Sequence, residues 1–421
     1  MPVIDETSTL QKRSMLPIIL AGGVILALAF GVRSVFGGLV EPLSNDLFGG
    51  RIEIFSLSIA IQNLAWGLAQ PAFGLIADRY GDRRALWIGL GFYTVGMVVC
   101  ALGTTPLAQH LGAGLLVGMG ISGTAFGIVL AVVGRAAPVE KRSLYLGIAS
   151  ALGSAGQVVV PLVAAWLIEW LDWRLTMLVL AAMIAPMALC IPYLRTTPSQ
   201  GDRPGEFRRI APVALVGTVV SACRHRGFLF LNAGFFVCGF HLGFITAHLP
   251  NYVEHFCTGT SMSPEELRAF GLKALSMVGL ANILGTVLAA QLSMIFPKPY
   301  ILSAIYALRA LVILSFINQP VTPSSVMIFA FAMGVLWLST LPLTSELVLA
   351  MFGPRVMGTL FGLVFLSHQL GSFAGIWLAG DWYDYYGNYA LIWRVSILLG
   401  LLSAVLHLFV RERPLTPGLA T

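Results

Sequence analysis

Residues 30–42 read FGVRSVFGGLVEP and lie in the outer half of the first long apolar run, with Arg33 inside it. An arginine at membrane depth costs about 3 kcal/mol on insertion scales, so such a residue usually faces a wet cavity and is used there. The pattern recurs further along the chain, with each match 208 positions later. The matching pairs are Gly31 with Gly239, Arg33 with His241, Phe36 with Phe244 and Pro42 with Pro250. We therefore predict two equivalent helices that each bring a basic side chain to a central anion site.

The composition is that of a membrane protein. Of the 421 residues, 57% are hydrophobic and 10% are charged, whereas a soluble chain carries about 25% charged residues. The chain contains about twelve apolar runs of the length that crosses a bilayer, so we predict an all-α protein with twelve transmembrane helices. The predicted spans are 16–40, 54–76, 85–104, 111–134, 144–168, 174–194, 227–250, 271–294, 300–318, 325–350, 357–380 and 391–410.

The distribution of basic residues predicts the orientation. They concentrate in the loops on the side of the two termini. By the positive-inside rule, we therefore predict a protein of the cell inner membrane with both termini in the cytoplasm. The net charge of +6 is thereby explained by topology and does not indicate a nucleic-acid partner. The basic residues of these loops are Arg79, Arg83 and Arg84, then Lys141 and Arg142, then Arg195, Arg203, Arg208, Arg209, Arg224 and Arg226.

The chain divides into two six-helix halves. We predict a first half over 1–195, a cytoplasmic linker over 196–226 and a second half over 227–421. Besides the opening match, Gly147 and Gly156 of span five correspond to Gly362 and Gly371 of span eleven, each pair being 215 positions apart. Duplicated halves around a midplane cavity are typical of secondary transporters.

The loop between spans two and three carries a specific motif. Residues 74–84 read GLIADRYGDRR, which resembles the loop 2–3 signature of the major facilitator superfamily. The resemblance covers the whole chain and implies alternating access. It also implies a gating latch of charged residues, with a solvated, topology-setting loop as the alternative. No counterpart of the motif occurs at 291–298 in the second half. The latch residues are Asp78, Arg79, Arg83 and Arg84.

Within the superfamily, the chain is similar to the bacterial monocarboxylate-transporter and oxalate/formate-antiporter branch. The resemblance rests on residues 31–37 of span one, 235–250 of span seven and 362–368 of span eleven. It implies that a cationic residue of span eleven contacts the substrate carboxylate, and His368 stands at that place. Span eight departs from the branch, because Thr286 follows Gly285 and the span has no arginine. The charge and size of the substrate therefore stay open.

We predict that Arg33, His241 and His368 form a cationic cage around a carboxylate, since guanidinium groups bind carboxylates bidentately and histidines can carry a proton. A structural pairing of Arg33 with a helix carbonyl or with Glu41 is the alternative, as is a structural role for the histidines. Further polar side chains can contribute to the site or simply join helices. These are Gln157, Asn282 and Gln369 for the substrate, and His248, which is either a gate or an interface residue.

Trp66 and Trp337 are expected to pack against lipid or core, with a role as aromatic walls of the site as the alternative. The sequence contains no zinc-protease, phosphate-loop or nucleophile-elbow motif and no metal-ligand spacing, so we expect neither an enzyme nor a cofactor.

The sequence predicts proton-coupled transport of a small organic anion, a monocarboxylate being the first choice. A carrier of the same fold for a larger neutral or aromatic compound, such as a drug or vitamin, is the second hypothesis. A membrane sensor that transports nothing is the third.

Overall fold

The computed structural model describes residues 15–137, 142–194, 219–352 and 357–411, apart from the side chains of a few helical residues in these ranges. Within them, twelve helices are long and apolar enough to cross a membrane, which confirms the predicted fold class. The spans are α1 (Leu16–Val35, continued by Phe36–Leu39 and Val40–Phe48), α2 (Ile52–Tyr80), α3 (Asp82–Leu102), α4 (Pro106–Gln109, His110–Leu116, Val117–Thr124 and Phe126–Ala136), α5 (Arg142–Trp170), α6 (Trp173–Met183, Met187–Cys190 and Ile191–Tyr193), α7 (Arg226–Phe256), α8 (Pro264–Ser293), α9 (Lys298–Ile317), α10 (Pro323–Val335 and Thr340–Phe352), α11 (Met357–Tyr386) and α12 (Ala390–Leu408).

Since the number of spans is even, α1 begins and α12 ends on the same side of the bundle. We call this side the terminal face and the opposite side the far face. Most of the predicted linker, 196–226, lies outside the described residues, so the boundaries of the two halves stay a prediction.

Local sequence explains where the helices begin at the far face. Ser263 and Glu266 form a reciprocal capping box at the start of α8, and Thr322 and Ser325 do the same for α10. Each cap is followed by proline at the first helical position, where the missing N–H would have no intrahelical partner. At the terminal face, α2 and α3 are joined through Gly81 alone, whose φ of +94° favours glycine.

Equivalent glycines pack equivalent helices in the two halves. A Cβ on Gly156 of α5 would lie 1.9 Å from the carbonyl oxygen of Ala27 in α1. A Cβ on Gly371 of α11 would lie 1.9 Å from the carbonyl oxygen of Phe236 in α7. Small residues allow such close backbone approach between membrane helices. The two α1–α5 and α7–α11 contacts are therefore repeats of one arrangement.

The halves meet closely near the far face. At the far end, a Cβ on Gly37 of α1 would lie 2.1 Å from the carbonyl oxygen of Thr246 in α7. Near the terminal end, a Cβ would find no described atom within 4 Å at Gly74, Gly147 or Gly362, which lie on α2, α5 and α11. The far face is therefore closed by direct contact between the two halves, and these three glycines are not in a packed contact with any described atom.

We expect Gly156→Ala and Gly371→Ala to destabilise the protein, because one added methyl group in a fully packed contact costs about 1–3 kcal/mol. Gly147→Ala and Gly362→Ala are matched controls on the same two helices, and because the added methyl group meets no described atom they should leave stability unchanged or raise it by up to about 1 kcal/mol through the helix propensity of alanine. Thermal unfolding of the detergent-purified variants measures both pairs. Equal unfolding temperatures for all four variants would contradict the close approach of these helices.

Candidate functional site

A cavity with an empty volume of about 850 Å³, its mouth included, lies between the two halves. Side chains of α1, α2, α5, α7, α8, α10 and α11 line it. None of the described residues that line it is acidic. Three predicted site residues, Arg33, Gln157 and His368, are among the lining residues. The cavity therefore presents basic and neutral groups from both halves of the chain.

Arg33 reaches the cavity from α1. Its Nη2 donates to Oδ1 of Asn63 at 2.5 Å, and its guanidinium carbon lies 5.2 Å from the ring centroid of Trp66. Nε of Arg33 has no hydrogen-bond partner in the described structure. The alternative pairing with Glu41 is not found, since Glu41 binds Asn251 instead. In the described part of the chain, no carboxylate lies within 4.0 Å of the guanidinium.

Aromatic rings connect Arg33 with His368 across the boundary between the halves. Trp66 lies 5.7 Å from Phe30 and 5.1 Å from Phe365, measured between ring centroids. Phe365 in turn stacks on His368 at 5.9 Å with an interplanar angle of 3°. Trp66 and Trp337 both line the cavity, so each forms an aromatic wall as well as packing in the core.

His368 and Gln369 are adjacent in sequence but face different surroundings. His368 lines the cavity, and its Nδ1 lies 3.4 Å from Oε1 of Gln369. Gln369 is fully buried. A Cβ on Gly67 of α2 would lie 2.9 Å from Cβ and Cγ of Gln369. It therefore belongs to the α2–α11 contact and does not line the cavity.

His241 also lies outside the cavity, in contrast to the expected cage. It is fully buried, and its Nε2 lies 2.8 Å from the carbonyl oxygen of Ser396 in α12. The neighbouring positions Cys238 and Leu242 of α7 do line the cavity, as do their equivalents in α1, Phe30 and Ser34. The backbone equivalence of 33 and 241 thus holds. The longer side chain of Arg33 reaches the cavity, whereas the shorter imidazole of His241 contacts α12.

Helix α10 is interrupted beside the cavity. Its first segment ends at Val335 and its second begins at Thr340. Oδ1 of Asn282 in α8 accepts a hydrogen bond from the backbone N–H of Leu338 at 2.8 Å. The sequence had suggested Asn282 as a substrate-binding residue, but it supports the interruption and is not among the residues that line the cavity. Unwound backbone near the midplane of a transporter is stable only when such partners satisfy it.

Arg309 of α9 supports the same interruption and was not predicted. It is fully buried and donates to the carbonyl oxygens of Leu336 and Trp337. Its Nη1 also donates to Sγ of Cys238 at 3.3 Å, and Cys238 lines the cavity. The sequence signal was present, because Arg309 is a charged residue inside an apolar run, the criterion that identified Arg33. It places a second positive charge directly behind the cavity wall.

The predicted gating residues lie at the two ends of the bundle. His248 is fully buried toward the far face, where its Nε2 lies 2.9 Å from the carbonyl oxygen of Ile376. At the terminal face, the side chains of Asp78 and Arg79 lie outside the described part of the structure. Arg83 is partly buried, its Nε lacks a partner in the described structure, and Arg84 is exposed. The latch accordingly stays a prediction.

Replacing Arg309 with Met should destabilise the protein, because two buried carbonyl groups lose their donors at about 1–3 kcal/mol each. Hydrogen–deuterium exchange should also rise in peptides that contain residues 335–340. Arg174→Met is the control, since Arg174 forms a partly exposed pair with Asp46, and such pairs contribute about 0–1 kcal/mol. Unchanged exchange at 335–340 in Arg309→Met would show that Arg309 does not hold the interruption.

Comparisons with known proteins agree with this architecture. The family model described as Major Facilitator Superfamily matches residues 22–375. An uncharacterized MFS-type transporter, YcxA of Bacillus subtilis (strain 168), is 25% identical over 89% of this chain and 90% of its own length. Monocarboxylate transporter 13 of Bos taurus is 25% identical over 92% of this chain and 88% of its own length. A crystal structure of D-xylose-proton symporter superposes with a TM-score of 0.72 at 17% identity, covering 95% of this chain and 99% of that one. The chain belongs to the Major Facilitator Superfamily and is a multi-pass membrane transporter.

Proposed function

We propose that this transporter carries a small organic anion, with monocarboxylates as the preferred class. The observation that supports this most is the charge balance of the cavity. Arg33 and His368 line it, and no acidic side chain is among its described lining residues. Arg309, directly behind the wall, lacks a carboxylate within 4.0 Å in the described structure. A cavity with uncompensated positive charge favours an anion over a neutral or cationic ligand.

The expected binding mode follows from the groups around Arg33. One side of the guanidinium is held by Asn63 and Trp66, while Nε has no partner. A carboxylate can accept from the remaining N–H groups in the bidentate manner that suits arginine. His368 and Gln157, on α11 and α5, can then contact the other end of a small ligand. Both halves would hold the anion together.

This binding explains alternating access. An empty site leaves the charge of Arg33 to be buried alone when the terminal face closes, which is costly in a low-dielectric interior. A bound anion neutralises that charge and lowers the free energy of the occluded state. We place the terminal face in the cytoplasm of a cell with an inner membrane, in agreement with the positive-inside rule.

Two further points bear on the choice of substrate. Relatives named monocarboxylate transporters support a monocarboxylate, whereas the xylose symporter shares only the fold at 17% identity. The second candidate is a larger neutral or aromatic compound. It is favoured by the aromatic rings of Phe30, Trp66 and Phe365 along the cavity.

Arg33→Gln should weaken monocarboxylate binding by about 1.5–3 kcal/mol, or roughly 10- to 100-fold in Kd, because a hydrogen bond to a charged group is lost. Lactate and its size-matched neutral analogue lactamide, titrated by calorimetry or thermal shift, measure the effect. Arg174→Gln is the control with the same change of net charge outside the cavity.

We expect lactate to bind the parent protein and Arg174→Gln alike, and lactamide to bind none of the three proteins measurably. Equal lactate affinity in Arg33→Gln would sink the proposed anion site. Preference for a bulky neutral ligand over lactate would favour the second candidate.

A further inference from the structure

A chain of hydrogen bonds near the far face joins α1, α7 and α11 with Tyr389, the residue that precedes α12. Nδ2 of Asn251 lies 2.5 Å from Oε2 of Glu41, and Oδ1 of Asn251 lies 2.7 Å from the hydroxyl of Tyr389. That hydroxyl lies 3.1 Å from Nδ1 of His248, whose Nε2 lies 2.9 Å from the carbonyl oxygen of Ile376. Asn251 and Tyr389 are each 1% exposed and His248 is fully buried, so these three residues are shielded from bulk solvent. The Glu41–Asn251 bond connects α1 with α7 and therefore connects the two halves.

Each contact in this hydrogen-bonded chain needs one hydrogen, and this requirement limits which groups can be protonated. Suppose first that Glu41 is ionised and accepts from the amide of Asn251. The single hydrogen of Tyr389 then goes to Oδ1 of Asn251, so Nδ1 of His248 must donate to the tyrosine oxygen. Nε2 of His248 must also donate, because a carbonyl oxygen has no hydrogen to offer. His248 is then doubly protonated and positively charged.

A second arrangement satisfies the same contacts with the amide of Asn251 turned over. Glu41 now carries a proton on Oε2 and donates it to Oδ1 of Asn251, and Nδ2 of Asn251 donates to the oxygen of Tyr389. Tyr389 then donates to Nδ1 of His248, which is neutral with its hydrogen on Nε2. The two arrangements contain the same number of hydrogens and differ in where one of them lies. With Glu41 ionised and His248 neutral, one contact would bring two lone pairs together, at a cost comparable to a lost buried hydrogen bond.

We propose that this chain is a proton-dependent latch of the far face, and that the closed far face holds one proton shared between Glu41 and His248. The proposal concerns the closing of the far face and does not depend on which ligand the cavity binds. Opening of the far face separates α1 from α7 and breaks the Glu41–Asn251 bond. Tyr389 can then donate to a neutral His248, and the proton is released to the solvent on that side.

Several other titratable groups lie around this hydrogen-bonded chain. Oε1 of Glu41 accepts from Asn45 at 2.9 Å and lies 3.8 Å from Nε2 of His255, which makes His255 the closest competitor. Arg268 pairs with Glu254. Ring contacts on His248 come from Phe244 and Tyr389. Among the described residues, the other titratable groups that face Glu41 or Tyr389 are Tyr252 and Glu254 on α7, and Tyr383 and Asp384 on α11.

If closing binds one proton, the ratio of closed to open far face falls by up to tenfold for each pH unit of increase. Glu41→Gln reproduces the second arrangement with an amide in place of the protonated carboxyl. This variant should therefore close without a proton and show no pH dependence.

Opening of the far face can be followed by double electron–electron resonance, which measures the distance between spin labels attached to Thr104→Cys and Gln319→Cys. Both positions are exposed and lie in far-face loops, one in the first half and one in the second. Cys190, Cys223 and Cys257, the cysteines that are not buried, are replaced by serine. The protein is reconstituted in lipid nanodiscs without any carboxylate, between pH 5 and 8. We expect the closed population of the parent to fall as the pH rises, and that of Glu41→Gln to stay high and constant.

Two more variants test whether the pH dependence comes from this hydrogen-bonded chain or from a neighbouring titratable group. Tyr389→Phe should abolish the pH dependence, because Asn251 can then bind ionised Glu41 without a proton on His248. His255→Gln should keep the dependence of the parent, since His255 lies outside the chain. A pH-independent parent, a dependence that persists in Glu41→Gln, or one lost in His255→Gln would overturn the proposal. Because no carboxylate is present during the distance measurements, these outcomes are independent of lactate binding. Lactate binding is then measured separately on the same variants.

Discussion

A positive charge is costly at the depth of a bilayer, and the centre of this protein contains two that no carboxylate in the described structure neutralises. Arg33 is held by an amide and an aromatic ring, and Arg309 by two backbone carbonyls and a thiol. The first faces the cavity and the second lies behind its wall. The fold satisfies the geometry of both groups without cancelling their charge. The positive potential that remains in the cavity is what a transported anion would use.

The interruption of α10 connects this electrostatic feature with the architecture. Arg309 can bind carbonyls only because residues 336–339 leave the helix, and Asn282 satisfies the N–H of Leu338 that is freed at the same place. Close approach of α8 makes this possible, because a Cβ on Gly285 would lie 1.7 Å from the carbonyl oxygen of Val335. The charge, the unwound backbone and the glycine contact are therefore one arrangement, and removing any of them disturbs the others.

Periodicity and composition predicted the twelve spans, and the offset between halves predicted which glycines pack alike. The same reasoning placed Arg33, Gln157 and His368 in the cavity. It failed for His241, because an offset gives backbone equivalence but not the direction of a shorter side chain. The α10 interruption was also missed. The sequence did contain a signal, because Gly334 and Pro342 flank the interruption and proline lacks the N–H that would bond the carbonyl of Leu338. The break is then stabilised by partners from α8 and α9 that only the tertiary structure brings together.

The central claim is that a small anion binds at Arg33 between the two halves. Its most direct test is a pair of cryo-electron microscopy maps of the protein in nanodiscs, with and without a saturating monocarboxylate. The account predicts ligand density against the guanidinium of Arg33, within reach of His368, that is absent from the unliganded map. Density confined to the aromatic wall, or a monocarboxylate bound elsewhere with Arg33 unchanged, would contradict it.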